Sequence, residues 1–171
     1  DTTGLKTDIT AQTFVDTYKH ALDNGWFRAR AGGSHFWAQS SPVKGAQAYY
    51  DAVSNDQTGN WENVGLSVED NSIVFEFTAP LSEWNLKYWL SSNTMTPVHL
   101  QLVERFGAEY ATAPEKMAFT GPYFLSNYEP DKVLEYKKND KFHSPNKYNY
   151  TGYNFAIIER SEFIFAEFEA G

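Results

Sequence analysis

The stretch that decides the fold is Ala111–Lys138, which reads ATAPEKMAFTGPYFLSNYEPDKVLEYKK. Gly121 can adopt a positive φ or permit a close approach, and Pro122 fixes its own φ and has no N–H to donate, so the two predict a tight corner. Two apolar-rich runs follow, separated by the polar tetrapeptide Glu-Pro-Asp-Lys at 129–132. Proline in a polar segment between strand-like runs is typical of a turn. The sequence therefore predicts a corner that leads into a β-hairpin over Tyr123–Lys137.

A second hairpin is predicted over Val64–Thr78. Apolar and polar residues alternate from Leu66 onward and again up to Phe77, and Asp70 and Asn71 between them can take the positive φ values of a two-residue turn. Because the alternation puts the apolar side chains on one face, we expect that face to be buried more than the other. The side chains expected to be buried in the whole chain are Phe14, Tyr18, Phe75, Phe77 and Leu125.

Helices are predicted where apolar residues recur at every third or fourth position. Thr10 is the expected N-cap of the first helix, and Asn24 and Gly25 are suited to end it. The third helix, which Ser82 caps, is rich in aromatic residues and is expected to be buried. The predicted helices are Ala11–Leu22, Val43–Val53, a helix from Ser82 through Leu90, His99–Phe106, and a last helix that Ser161 caps after a strand at Phe155–Ile158.

The last helix has apolar residues that nothing else in the chain is expected to cover. Ile164 and Phe168 lie four positions apart and therefore share a face. We expect this chain to be a segment of a larger protein in which that face is buried. The predicted fold class is α+β, with antiparallel β-hairpins packed with helices in a single domain over 1–171.

Composition excludes several classes of site. The chain has 171 residues, of which 42% are hydrophobic, and its formal net charge is −8. An acidic chain lacks the basic face that nucleic acids require, so no nucleic-acid partner is expected. Cysteine is absent, which excludes disulfides and thiolate metal sites. The four histidines, among them His35, are not spaced as a ligand pair, so no metal is expected.

Three blocks of sequence resemble one known family, and they occur in the same order in this chain. The first is Ile9–Asp23 and the second is Thr96–Gly107. The third comprises Ala113–Met117, Thr120–Tyr123 and Val133–Asn139. Together they are similar to the peptide and oligopeptide solute-binding proteins of ABC importers. Members of that family are much longer than 171 residues.

The resemblance implies a two-lobed fold of the periplasmic-binding-protein type, of which this chain is a segment of the first lobe. It also implies a peptide ligand, a membrane permease and a second lobe of the same protein as partners. Such a receptor works outside the cytoplasm, in the periplasm or as a lipoprotein at the cell surface, and it is not an enzyme. The chain departs from the family at Thr120, where relatives usually carry Asn, and in the segment 139–143.

Four residues are candidates for ligand contact: Thr120, Gly121, Tyr123 and Trp37. The first three lie at the corner, which can present backbone groups at the edge of a cleft, and Trp37 lies in a glycine-containing loop where an aromatic ring can stack on a ligand. Two other interpretations remain for these residues, namely a purely structural turn and a loop that packs its aromatic rings onto the domain. Two other functions also remain open, an interaction module without a small ligand and a hydrolase that uses a carboxylate pair.

Overall fold

The computed structural model describes residues 8–26, 41–92, 95–158 and 160–170. These residues divide into two compact units that meet in the chain between Val98 and His99. No helix in these ranges is both long enough and apolar enough to cross a lipid bilayer. The single domain expected over 1–171 stays a prediction, and each unit is described separately below.

The first unit contains helices and one hairpin. Strands β1 (Leu66–Glu69) and β2 (Ser72–Phe75) pair antiparallel with Leu66 opposite Phe75. Asp70 and Asn71 take φ values of 47° and 60° in the turn between them. The predicted hairpin and its turn are therefore confirmed. The elements of this unit are α1 (Ala11–Asp23), α2 (Ala46–Ser54), β1 (Leu66–Glu69), β2 (Ser72–Phe75) and α3 (Glu83–Leu90).

Helix α1 begins and ends where the sequence predicts. The N–H of Thr10 donates to Oγ1 of Thr13 at 3.1 Å, so a side chain of the first turn satisfies a backbone group outside the helix. Asn24 is the C-cap, and Gly25 follows with a φ of 55°. The helix faces the hairpin and α2, and together they enclose the core of this unit. The buried core residues are Val15, Tyr18, Ala21, Leu22, Val43, Ala46, Tyr49, Val64 and Leu66.

Burial of the predicted core side chains is confirmed only in part. Tyr18 is 1% exposed, and burial raises the pKa of its hydroxyl. Phe75 and Phe77 are half-buried, because their rings stack on each other with centroids 5.7 Å apart and pack against the core from its edge. Phe14 is also only half-buried, since its ring lines a small apolar cavity of about 100 Å³. The expected burial is therefore only partial for these three phenylalanines.

Helix α2 starts three residues later than predicted. Val43 forms an isolated antiparallel bridge with Phe77, and the N–H of Lys44 donates to the carbonyl of Glu76 at 2.9 Å. Residues 43 and 44 are therefore extended and pair with residues 76 and 77, which directly follow β2. Gly45, with a φ of 70°, then turns the chain into the helix.

Helix α3 has the predicted bounds but not the predicted burial. Oγ of Ser82 accepts from the N–H of Asn85 at 3.2 Å, which confirms the cap. Leu86 and Trp89 pack against the core, whereas Trp84 is 76% exposed. The helix is apolar on more than one side, and only one side of so short a helix can face the core.

The second unit is built on a three-stranded antiparallel sheet, whose strands lie in the order β3 (Tyr123–Glu129), β4 (Val133–Lys138) and β5 (Gly152–Ala156). The predicted hairpin is confirmed within two residues, and a β-bulge interrupts β3 between Leu125 and Asn127. The predicted strand at 155–158 overlaps β5 only at its start, because β5 begins at Gly152 and ends at Ala156. The elements of this unit are α4 (Leu100–Phe106), β3 (Tyr123–Glu129), β4 (Val133–Lys138), β5 (Gly152–Ala156) and α5 (Ser161–Ala170).

Burial in this unit is uneven. Leu125 in β3 is buried, as predicted, and so is Leu102 in α4. In α5, Ser161 is the first helical residue rather than the cap. Ile164 is 53% exposed and Phe168 is 82% exposed, so the apolar face of the last helix is uncovered, as the sequence predicts.

Thr17 is the one buried polar residue of the described chain, and we expect its hydroxyl to stabilise the first unit. Oγ1 donates to the carbonyl of Thr13 at 2.7 Å and accepts from the N–H of Val98 at 3.0 Å. Thr17→Val keeps the shape but leaves that N–H unsatisfied, so we expect the free energy of unfolding to fall by about 1–3 kcal/mol. Urea denaturation followed by tryptophan fluorescence measures this. The control, Thr58→Val in an exposed loop, is expected to change it by less than about 0.5 kcal/mol.

Candidate functional site

The predicted corner is present, but Gly121 is not needed for its backbone geometry. Gly121 is absent from the positive-φ residues of the structure. A Cβ at this position would meet only the carbonyl oxygen of Tyr123, at 3.7 Å, which is an ordinary contact. The corner therefore uses neither the positive φ nor the close approach that Gly121 permits. The fixed φ of Pro122 and the contacts of Asn139 shape the corner instead.

Asn139, directly after β4, holds the corner in place. Its N–H donates to the carbonyl of Pro122 at 2.8 Å, and its Nδ2 donates to the carbonyl of Gly121 at 2.9 Å. Its Oδ1 also accepts from the N–H of Lys141 at 3.1 Å. All of these bonds stay within the chain, and the carbonyls of Gly121 and Pro122 each accept one of them. Sequence reasoning missed this role, although an asparagine directly after a strand is a known backbone-binding residue.

Tyr123 connects the corner to a cluster of aromatic rings. Its hydroxyl donates to the carbonyl of Tyr150 at 3.0 Å. Its ring lies edge-on to that of Tyr153, with centroids 4.5 Å apart, and to that of Tyr148 at 6.1 Å. A hydrogen bond with the side chain of Tyr153 raises the pKa of Tyr123 to about 12. We call these four residues the tyrosine cluster.

The tyrosine cluster continues along one face of the sheet. The ring of Phe155 lies 5.9 Å from that of Tyr136 and 6.4 Å from that of Tyr153, centroid to centroid. Tyr150 is 68% exposed and Phe155 is 55% exposed. This face therefore presents aromatic rings and one phenol network, a surface suited to apolar contact and stacking.

The structure thus brings Thr120, Gly121 and Tyr123 together at one end of the sheet, with Thr120 exposed. Trp37 lies outside the described residues. Within the described ranges, no group of three His, Asp or Glu side chains is placed to hold a metal ion. The corner and the aromatic face offer binding contacts by backbone and aromatic groups. Ligand contact by the four predicted residues stays a prediction.

The sequence profile of the bacterial extracellular solute-binding proteins, family 5, middle part, matches residues 4–171. The chain belongs to this family. That match spans nearly the whole chain and agrees with the resemblance carried by the three blocks of sequence.

Two peptide-binding proteins are similar to this chain in sequence, at low identity. The chain is 25% identical over 137 residues to the oligopeptide-binding protein AliA of Streptococcus pneumoniae, which covers 78% of the chain and 19% of the relative. It is 26% identical over 121 residues to a dipeptide-binding protein of Lactococcus lactis, covering 70% of the chain and 20% of the relative. The chain thus spans about a fifth of the length of these relatives.

Solved structures share the fold. The periplasmic oligopeptide-binding protein OppAIV of Borrelia burgdorferi superposes with a TM-score of 0.72 at 22% identity, over 99% of this chain and 31% of that one. OppA of Haemophilus influenzae in complex with RPPGFSPFR gives a TM-score of 0.76 at 19% identity, again over 99% and 31%. These similarities identify the present chain as a partial domain of the two-lobed fold of these proteins.

Proposed function

We propose that this chain is part of the substrate-binding component of an ABC importer that binds peptides. The observation that carries the proposal is the family match over residues 4–171, because it covers both units. The names of the relatives support peptides as the solute class, since they are described as oligopeptide-binding and dipeptide-binding proteins. The protein then works outside the cytoplasm and delivers its ligand to a membrane permease, without a covalent step or a cofactor. Anchoring as a lipoprotein at the cell surface is part of the same proposal.

The chain is, in this proposal, a segment of the first lobe of a longer polypeptide, which we call the longer protein. Two observations support this. The relatives are several times longer than the matched region. In addition, α5 exposes Phe163, Ile164, Phe165 and Phe168 by 53–82%, and large apolar side chains clustered at a surface are typical of an interaction site. The second lobe of the longer protein closes on the ligand from the other side.

The corner is the proposed cleft edge of this segment, with Thr120, Gly121 and Tyr123 beside the ligand and Trp37 as a stacking residue. Asn139 donates one hydrogen bond to each of the carbonyls of Gly121 and Pro122, so each keeps one lone pair with which it can accept a bond from a peptide. The exposed side chain of Thr120 and the aromatic rings around Tyr123 are further contacts that the corner can offer a peptide. Such contacts are tolerant of ligand sequence.

The test is to identify the ligand that copurifies with the longer protein. The protein is purified without denaturation and then unfolded in organic solvent, and the released small molecules are analysed by mass spectrometry. We expect a mixture of short peptides of varied sequence. A sample that was unfolded, washed and refolded before the analysis is the control and is expected to release none. Release of a single non-peptide solute, or of no solute at all, contradicts the proposal.

A further inference from the structure

Two exposed asparagines end helices of the first unit in the same way. Asn24 is the C-cap of α1, and its Nδ2 donates to the carbonyl of His20 at 2.8 Å. Asn55 is the C-cap of α2, and its Nδ2 donates to the carbonyl of Asp51 at 2.7 Å. In each case the same carbonyl also accepts from the backbone N–H of the asparagine. Each side chain therefore adds a second hydrogen bond that holds the last helical turn closed.

The backbones of the two helix ends match, but the residues that follow the asparagines differ. Asn24 has φ and ψ of −107° and 8°, and Asn55 has −104° and 22°. The next residues, Gly25 and Asp56, have φ values of 55° and 57°, in the left-handed region that glycine and aspartate tolerate better than most residues. Asn24 is the one asparagine in the 171 residues that a glycine follows.

An asparagine before a glycine can react with its own backbone. The nitrogen of Gly25 can attack the side-chain carbonyl carbon of Asn24, because glycine has no side chain that hinders the approach. A bond forms between this nitrogen and Cγ, and the bond between Cγ and Nδ2 breaks. Nδ2 leaves as ammonia and takes the proton that the Gly25 amide gives up. Water then opens the cyclic imide at either of its carbonyls, which yields aspartate or isoaspartate.

The closed end of α1 restrains this reaction without preventing it. Attack requires the side chain of Asn24 to turn toward the following amide, whereas the bond to His20 holds Nδ2 on the preceding turn. The N–H of Gly25 donates to the carbonyl of Leu22 at 3.3 Å, which is longer than a typical hydrogen bond of this kind. Helix ends open at a small cost in free energy. Local opening of this exposed end is therefore sufficient for the attack.

We propose that Asn24 is a site of spontaneous modification and that its conversion to aspartate or isoaspartate weakens the C-terminal end of α1. A carboxylate has no proton to donate to the carbonyl of His20. Its charge also lies at the helix C-terminus, where the helix dipole disfavours anions. It is directly beside Asp23, whose carboxylate already accepts from Lys19 and Tyr49. This inference is independent of the ligand that the longer protein binds.

The modification is tested by incubating chain 1–171 for a prolonged period at neutral pH and mapping its peptides by mass spectrometry. Trypsin releases Asn24 in the peptide 20–28, which contains no other asparagine. We expect both aspartate and isoaspartate at this position. We also expect conversion at Asn24 to be about tenfold or more faster than at Asn55, which corresponds to a barrier lower by about 1.4 kcal/mol. Equal rates at the two positions overturn the proposal.

Two exchanged variants separate the effect of the following residue from that of the helix end. Gly25→Asp is expected to abolish conversion at Asn24, and Asp56→Gly is expected to introduce it at Asn55. Aspartate already adopts the required φ at position 56, so Gly25→Asp changes the side chain and keeps the backbone. Conversion of Asn24 that continues at the same rate in Gly25→Asp contradicts the proposed attack by the glycine nitrogen.

Asn24→Asp tests the effect of the modification on stability. All five tryptophans lie in the first unit, so their fluorescence reports its unfolding. We expect this variant to lower the melting temperature of the first unit by several degrees. Thr58→Asp adds a negative charge in an exposed loop of the same unit and is expected to leave the melting temperature unchanged. Equal melting temperatures of the two variants overturn the claim that the modification weakens the end of α1.

Discussion

Gly45→Ala is expected to lower the free energy of unfolding of the first unit by about 3 kcal/mol or more, a large part of the roughly 5–15 kcal/mol that stabilises a typical domain. Two effects add at this position. Gly45 has a φ of 70°, a conformation that costs a residue with a side chain about 1 kcal/mol. A Cβ would also overlap the backbone carbonyl of Asn63, and backbone cannot move aside as a flexible side chain can.

Two other glycines serve as controls that separate the conformational effect from the packing effect. Gly25 has a φ of 55°, and apart from its chain neighbours no atom of the described residues lies within 4 Å of the point where a Cβ would stand. Gly25→Ala is therefore expected to cost only the conformational part, about 1 kcal/mol. Gly121→Ala meets neither obstacle and is expected to be nearly neutral. Urea denaturation measured by far-ultraviolet circular dichroism and tryptophan fluorescence compares the three variants. Equal midpoints for Gly45→Ala and Gly25→Ala would show that the packing against Asn63 contributes nothing.

Local chemistry made the hairpins predictable from the sequence. Asp70 and Asn71 favour positive φ, and Pro130 favours a turn between two apolar runs, so each hairpin is specified by residues close to one another in the chain. The caps at Thr10 and Ser82 are local in the same sense. The family resemblance added the fold of the larger protein, which no local pattern in this chain contains.

Long-range contacts explain what the sequence did not predict. The bridge of Val43 to Phe77 delays α2 by three residues, and neither residue alone signals the other. Periodicity also cannot show which side of α3 faces the core, so the exposure of Trp84 was missed. At the corner, the hydrogen bond from Nδ2 of Asn139 to the carbonyl of Gly121 joins residues 18 positions apart. No local sequence pattern predicts a contact of this length.

The longer protein is expected to bind short peptides about a thousandfold more tightly than chain 1–171. A receptor with two lobes contacts its ligand from both sides. One lobe supplies only part of those contacts, yet its complex bears the full loss of translational and rotational freedom, about 4–15 kcal/mol. A thousandfold ratio of dissociation constants corresponds to about 4 kcal/mol of binding free energy, which the rest of the longer protein would supply.

Isothermal titration calorimetry with a mixed pool of short peptides, on chain 1–171 and on the longer protein, tests the central claim most directly. The corresponding free amino acids, mixed in the same proportions, are the control for both. We predict saturable peptide binding by the longer protein, no detectable binding of the free amino acids, and feeble or undetectable peptide binding by chain 1–171. Micromolar or tighter peptide binding by chain 1–171 alone would contradict the claim that it is one part of a two-lobed site, and failure of the longer protein to bind peptides would contradict the claim that it is a peptide receptor.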